Sequence, residues 1–458
     1  MGSDTMPWGV GGDASAVDPM PKDVSRLLES TARALTGELA RVQARTRQPS
    51  LVAGVLRDGE LMWTGTRGTA VGSGMVAGPD VQYRIGSITK TVTAVAVLQC
   101  RDDGLLDLDD PLRAHLGDVP YASARVRDLL AHTAGLPSEP AGPWWERHEG
   151  GDFETLAGQV LQQGPVHPAG QRHHYTNLGF GLLGELVARL RGTSWIDAVT
   201  ERVLRPLDMT RTTYGPQVPH AQGWSVQPYA GTLAPEPHSD TGAMAAAGQL
   251  WSTVEDLARY AAFWIDPDPV VLAPSTVTEM CTPAAGEPAV GTESVHGLGV
   301  RLYGRGDRTL VGHGGSMPGF LAGFVVDPRR RSAGFTLANA TVGDTPGLAL
   351  TLLDRLEQLE PPLPPEWSPE PEVEDAAELL GLWYWGNTPI TFAVGDGHLV
   401  IEEANPGHRT RLVREAADTW RCLDQYYAGE LLHVVRDGDR ISHLDLVTYI
   451  LTRHPAHP

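Results

Sequence analysis

The segment SITKTVTAVAVLQCRD, residues 87–102, decides how the rest of the chain is read. Val92, Ala94, Val95, Val97 and Leu98 fall on several faces of a 3.6-residue period. A helix apolar most of the way round belongs inside a core. Its polar opening is therefore the informative part. Ser87 and Lys90 share one face, with Cβ atoms about 5–6 Å apart at helical spacing. A serine at a helix N-terminus feels the positive end of the dipole. A neighbouring amine accepts or relays the hydroxyl proton when neutral, and stabilises an alkoxide or phenolate when charged. Composition singles out the same lysine. Of 36 Lys plus Arg residues, only Lys22 and Lys90 are lysines. Arg keeps its proton, whereas Lys gives it up when its pKa is depressed. Lys90, the one lysine of the chain body, is thus a candidate for proton chemistry.

Two further motifs follow in order. In Tyr175-Thr176-Asn177, a tyrosine beside an ammonium is expected to be held as phenolate and to act as base toward Ser87, then as acid toward the leaving group. Asn177 is expected to hydrogen-bond Lys90 and a substrate amide. In Gly312-His313-Gly314-Gly315-Ser316, glycines between two β runs let another segment approach the backbone closely. His313 is expected to face the pocket, with Gly314 and Gly315 against the substrate. The backbone N–H groups of Ser87 and Ser316 are the expected oxyanion hole. His173 and His174 suggest a metal, but no third ligand stands at helical spacing, so they read as loop histidines and no metal is expected. Trp144, Trp145 and Trp224 lie in predicted loops, as a pocket wall or as ordinary packing, and Trp224 is taken as substrate-binding. Arg453 follows the last β run, as a clamp for a substrate carboxylate or a surface residue.

The chain has 458 residues and a net charge of −20, which disfavours nucleic acid and anionic membrane as partners. Three scattered cysteines (Cys100, Cys281, Cys422) form neither a disulfide framework nor a zinc site. No signal peptide or long apolar run is present, so a cytoplasmic location is expected. The pattern predicts a helix from Asp23, a hairpin at 51–56 and 61–65, and helices at 87–102, 126–131 and 177–190. It also predicts a helix capped by Thr253, and β runs at 297–303, 309–312, 321–327 and 334–338. LEPPLPPEWSPEPE (359–372) reads as a stiff linker. Short β runs at 390–394, 398–402, 431–435 and 444–450 follow, as in a small antiparallel barrel. The expected organisation is a tail (1–22), an α/β catalytic domain of sheet and helices with an all-helical region (23–357), a linker (358–372) and a β domain (373–458).

Together S-x-x-K, Y-x-N and H-G-G resemble the serine β-lactamase and penicillin-binding-protein superfamily, nearer its class C β-lactamase, esterase and D-aminopeptidase branch. VRDLLAHTAGLP (126–137) and AAAGQLWSTVEDLARY (245–260) look like that branch too, and the likeness spans about residues 25–357. The trailing domain is similar to the lipocalin-like domain of D-aminopeptidases and of stand-alone penicillin-binding-protein-type thioesterases. The resemblance implies Ser87 as nucleophile, Lys90 as activator, Tyr175 as base, Asn177 as positioning group and His313 in the usual Lys place of the third motif. It implies a cofactor-free serine acyltransferase that releases and macrocyclises, or hydrolyses, a nonribosomal peptidyl thioester presented on a carrier protein. The other reading is a D-stereoselective aminopeptidase, amidase or esterase. A β-lactamase or a non-catalytic binding module fits less well, because an imidazole clamps a carboxylate poorly and all five polar residues are intact. Arg-rich, Lys-poor usage fits a GC-rich bacterial genome. Substrate, ring size, stereochemical preference and oligomeric state are not encoded legibly.

Overall fold

The computed structural model describes residues 26–69, 76–285, 294–306, 308–363, 373–395, 397–403 and 409–456, with positions 366, 368 and 369. The tail with Lys22 and part of the Pro-rich stretch lie outside the described residues. The chain divides into two units, residues 1–362 and 363–458.

The first unit is built on a seven-stranded antiparallel sheet. Its strands are β1 (Ser50–Arg57), β2 (Glu60–Gly68), β3 (Ser294–His296), β4 (Arg301–Arg305), β5 (Arg308–Met317), β6 (Phe320–Asp327) and β7 (Ser332–Ala338), in the order β2-β1-β7-β6-β5-β4-β3. Strands from both ends of the segment therefore meet in the middle, where β1 pairs with β7. The β1–β2 hairpin closes through Asp58 and Gly59, at φ 51° and 79°. Two left-handed residues make the turn whose twist matches its strands.

The main helices are α1 (Glu29–Thr46), α2 (Thr89–Asp102), α3 (Val126–Leu130), α4 (Asn177–Arg191), α5 (Val254–Ile265) and α6 (Thr345–Leu359). Strand alternation sorts them into layers. Leu51, Ala53 and Val55 of β1 pack with Leu35 of α1 and Leu352 of α6. Val52 and Leu56 point the other way, into the larger core with Val92 and Leu98 of α2 and Phe180 of α4. Every residue of α2 from Thr89 to Cys100 is buried, as its all-round apolar pattern predicts.

Two boundaries differ from the sequence reading. A 3₁₀ turn, Gly86–Ile88, precedes α2, so Ser87 stands just ahead of the helix instead of within it. The run at 297–303 is a strand only from Arg301. Gly297 and Gly299 make a turn in which a Cβ at Gly297 would lie 1.9 Å from the Met280 carbonyl oxygen.

The second unit is a closed barrel of eight antiparallel strands: β8 (Gly381–Trp385), β9 (Thr388–Gly395), β10 (His398–Glu403), β11 (Arg409–Ala416), β12 (Thr419–Cys422), β13 (Leu431–Asp437), β14 (Arg440–Leu446) and β15 (Tyr449–Thr452). Trp383, Phe392, Ile401, Trp420, Leu432 and Leu444 share its core. The predicted run 444–450 breaks at Val447, whose φ is 63°, into β14 and β15. Arg453 lies just past β15. Its guanidinium donates to the carbonyls of Glu378, Leu380 and Leu382 at 2.6–3.1 Å and stacks 3.9 Å from the Trp383 ring centre. The expectation from the sequence is a carboxylate clamp, whereas here these donors serve carbonyls of the same unit. Arg453 is committed to closing its own barrel.

Candidate active site

Close backbone approach assembles the site. Gly86, at φ 50°, would carry a Cβ 2.5 Å from the backbone nitrogen of Ser316, and a Cβ at Gly315 would lie 1.9 Å from the Ile85 carbonyl oxygen. Only glycine at both points lets β5 lie flat against the 85–87 turn. That contact brings the Ser316 backbone beside Ser87, the arrangement an oxyanion hole requires. Gly314 has a similar packing reason: its Cβ would meet the Pro346 ring at 2.8 Å.

Lys90 is fully buried, and its Nζ lies 2.9 Å from Ser87 Oγ. It also donates to the Ala247 carbonyl at 2.6 Å. Burial lowers its pKa to about 7, with the negative charges of Glu139 and Glu146 working the other way. Near neutral pH much of Lys90 is therefore uncharged, and a neutral amine can accept the Ser87 proton. The Ala245–Gly248 turn supplies the lysine's second partner and, through the Ala246 carbonyl, holds Thr93 of α2. The sequence stretch 245–260 thus contributes backbone carbonyls, which no side-chain motif announces.

Tyr175 is held by a zipper between two loops. Segment 132–138 receives His174 N–H at the His132 carbonyl, Thr176 N–H at His132 Nδ1 and Asn177 N–H at the Ser138 carbonyl. Thr176 caps α4 by accepting from Gly179 N–H, and donates its hydroxyl to Pro137. The Tyr175 ring lies 5.2 Å from Lys90 Nζ and stacks on His132 at 4.3 Å. Burial raises its pKa well above the usual phenol value, while a hydrogen bond with Ser87 and the charge of Arg301 oppose this. This direction favours the neutral phenol over the phenolate expected from the sequence. Burial penalises the ammonium and the phenolate alike, so the phenol keeps its proton and Lys90 exchanges its own near neutral pH.

Asn177 does not reach Lys90. Its amide donates to Glu139 Oε1 at 2.6 Å, and Glu139 Oε2 accepts from Trp145 Nε1 at 2.6 Å. Glu146 accepts from Trp144 Nε1 at 2.8 Å, and burial raises its carboxyl pKa. Sequence reading missed both glutamates, which lie in a loop with no periodic pattern.

His313 is buried beside Tyr175, with ring centres 5.9 Å apart. Its Nδ1 lies 2.5 Å from the Gly314 carbonyl, so Nδ1 carries the proton and Nε2 is bare. Burial, then the charge of Lys90, lowers its pKa to about 3. His174 bonds Ser138 and His173 stacks on His296. Among the described residues no His, Cys, Asp and Glu grouping suits a metal. Trp224 opens a short strand (Trp224–Val226) paired with Leu233–Pro235 instead of lying in a loop.

Residues 33–358 match the family described as Beta-lactamase, and residues 372–453 match a domain of unknown function, DUF7586. "Beta-lactamase-like protein 2" of Dictyostelium discoideum is 30% identical over 51% of this chain and 45% of its own length. The chain thus spans about half the length of that relative. The crystal structure of SurE aligns over 93% of this chain and 99% of its own, with TM-score 0.61 and 24% identity. A D-stereospecific amidohydrolase from Streptomyces sp. aligns over 70% of this chain and 98% of its own, with TM-score 0.61 and 27% identity.

Proposed function

The chain belongs to the Beta-lactamase family, and from that premise we propose a serine acyltransferase or hydrolase that forms an acyl-enzyme on Ser87 with peptide-like substrates. The observation that carries this reading is the buried Lys90 Nζ, 2.9 Å from Ser87 Oγ, with its pKa lowered to about 7. Neutral Lys90 takes the hydroxyl proton as Ser87 Oγ attacks the carbonyl carbon. The N–H groups of Ser87 and Ser316 receive the oxyanion. The proton then passes from Lys90, with the Tyr175 hydroxyl as carrier, to the leaving group as the carbonyl reforms.

The surroundings favour a substrate bearing an amine. Neutral His313 offers no cation to a carboxylate. Glu139 and Glu146 accept from amide and indole N–H groups and join no ion pair among the described residues. In the finer reading, the acyl-enzyme comes from a peptidyl thioester presented on a carrier protein, and the peptide's own amine releases it as a macrocycle. The second reading is a D-selective amidase, favoured by the 27% identity to the D-stereospecific amidohydrolase. The barrel, which matches a domain of unknown function, is packed with side chains such as Trp383 and Trp420, and we assign it no interior ligand.

Intact-protein mass spectrometry with peptidyl thioesters and with D- and L-amino acid amides tests both readings. An acyl mass on the wild type and none on Ser87→Ala is expected. Cyclic product supports the cyclase and free D-amino acid the amidase. An adduct that persists in Ser87→Ala removes Ser87 as nucleophile.

A further inference from the structure

The steps above leave three imidazoles near Tyr175 unused, two of them buried (His132 and His296) and one half-buried (His173). His132 stacks on the Tyr175 ring at 4.3 Å. His296, at the end of β3, stands edge-on to Tyr175, to His132 and to His313, with ring centres 6.1, 5.1 and 6.3 Å away. His173 stacks on the outer face of His296 at 4.4 Å.

Hydrogen bonds fix which nitrogen carries each proton. His132 Nδ1 accepts from Thr176 N–H, so its Nε2 is the protonated one. His313 Nδ1 donates to Gly314. His296 Nε2 accepts from Arg301 Nε at 3.4 Å. Arg has five donors and no acceptor, so this bond exists only while His296 Nε2 is bare. A second proton on His296 would set donor against donor and cation against cation.

We propose that Arg301 is a positioning residue for acyl transfer. By donating to His296 it keeps that imidazole uncharged against Tyr175 and His313, so that no further cation stands beside the Lys90–Tyr175 proton path. The inference rests on the Ser87 reading above. The groups that face the layer agree with it. Lys90 of α2 and Arg301 of β4 flank it on two sides, and Tyr175, His132, His173 and His313 are its members. Tyr303 of β4 bonds Arg301, and Glu139 and Glu146 act on Tyr175 and Lys90. Burial is the largest cause that lowers the proton affinity of His296 and His313, followed by His313 and His173 for the first and Lys90 for the second, and the charge of Arg301 adds a smaller push in the same direction to both.

The test compares Arg301→Met, which removes donor and charge, with Arg301→Lys, which keeps both. Acylation by a p-nitrophenyl ester is followed from pH 5 to 9. Ring signals of ¹³C-labelled histidine are followed over the same range, with His313→Phe and His296→Phe to assign them. In the wild type the rate falls with unit slope below pH 7, and neither His296 nor His313 titrates. In Arg301→Met an imidazole returns toward its ordinary range. The rate at pH 5.5 then falls about tenfold further below its pH 8 value than in the wild type. Arg301→Lys restores the wild-type profile. Should Arg301→Met fail to fold, Arg301→Gln serves, because Gln can also accept and so breaks the one-way lock. A folded Arg301→Met or Arg301→Gln protein with unit slope and silent imidazoles overturns the proposal. If the wild type forms no acyl adduct, the Ser87 reading fails, and the ring signals still decide the role of Arg301.

Discussion

At the scale of the residue, Lys90 sets function against stability. Burial holds its pKa near 7, below the ordinary lysine value, so the folded state binds fewer protons than the unfolded chain between those two values. Stability from this group is therefore complete only at alkaline pH and falls as pH drops toward 7. Lys90→Met is expected to raise the unfolding free energy at pH 7 by about 1–3 kcal/mol, after the loss of the Ala247 bond is counted. That gain should shrink toward pH 10. Acylation should vanish. Lys90→Arg, which cannot become neutral, should lose at least ~100-fold in the chemical step. Denaturant titrations at pH 7 and 10, with burst kinetics, check both. A Lys90→Met protein less stable than the wild type at pH 7 would mean the amine rests charged. Ser87 and Lys90 were legible because one lysine stood in an arginine-rich chain. The Tyr175 charge and the Asn177 partner were not legible. The first depends on how completely the core closes over it, and the second on Glu139, 38 residues away in sequence.

At the scale of the element, the site depends on how near β5 comes to the 85–87 turn. A methyl group at Gly315 would collide with the Ile85 carbonyl at 1.9 Å, a backbone atom that can move only with the turn carrying Ser87. The obstacle at Gly314 is instead a Pro346 ring carbon at 2.8 Å, at the edge of the sheet's helical cover. Gly315→Ala is therefore expected to cut acylation by at least ~100-fold, and Gly314→Ala by less, because a 1 Å misplacement of a reacting group costs about that much. Ester burst rates on the two folded variants compare them directly, and equal rates would contradict this account. The glycine run already signalled close approach in sequence. What it could not signal was the zipper of 170–177 onto 132–138, a pairing of two irregular segments by backbone groups. In the barrel, β11 went unread for another reason. Thr410 and Leu412 point inward, but Arg and Glu crowd the alternate positions and hide the period of two.

At the scale of the whole molecule, two separate cores give two separate responses to acid. His132, His296 and His313 all lie in the first unit, and burial is the largest cause of the lowered pKa in each. For a histidine the folded value then lies below the unfolded value of about 6.5. Above pH 6.5 both states are neutral and nothing is lost. Below it the unfolded chain takes up protons that the folded state refuses, so stability falls with pH. Each such imidazole costs about 1.4 kcal/mol at pH 5.5, and three cost about 4 kcal/mol if they act independently. For a unit of this size that corresponds to roughly 6 °C in melting temperature. Among the described residues of the barrel, whose core holds Trp383, Phe392, Trp420 and Leu444, no histidine is buried. Calorimetry between pH 7.5 and 5.5 should therefore resolve a catalytic-unit transition that moves down while the barrel transition stays nearly fixed. A probe in the barrel core such as Trp420→Phe identifies which transition is which. If the two transitions fall together, or the catalytic unit holds its melting temperature at pH 5.5, the imidazole layer is not the neutral structure described above.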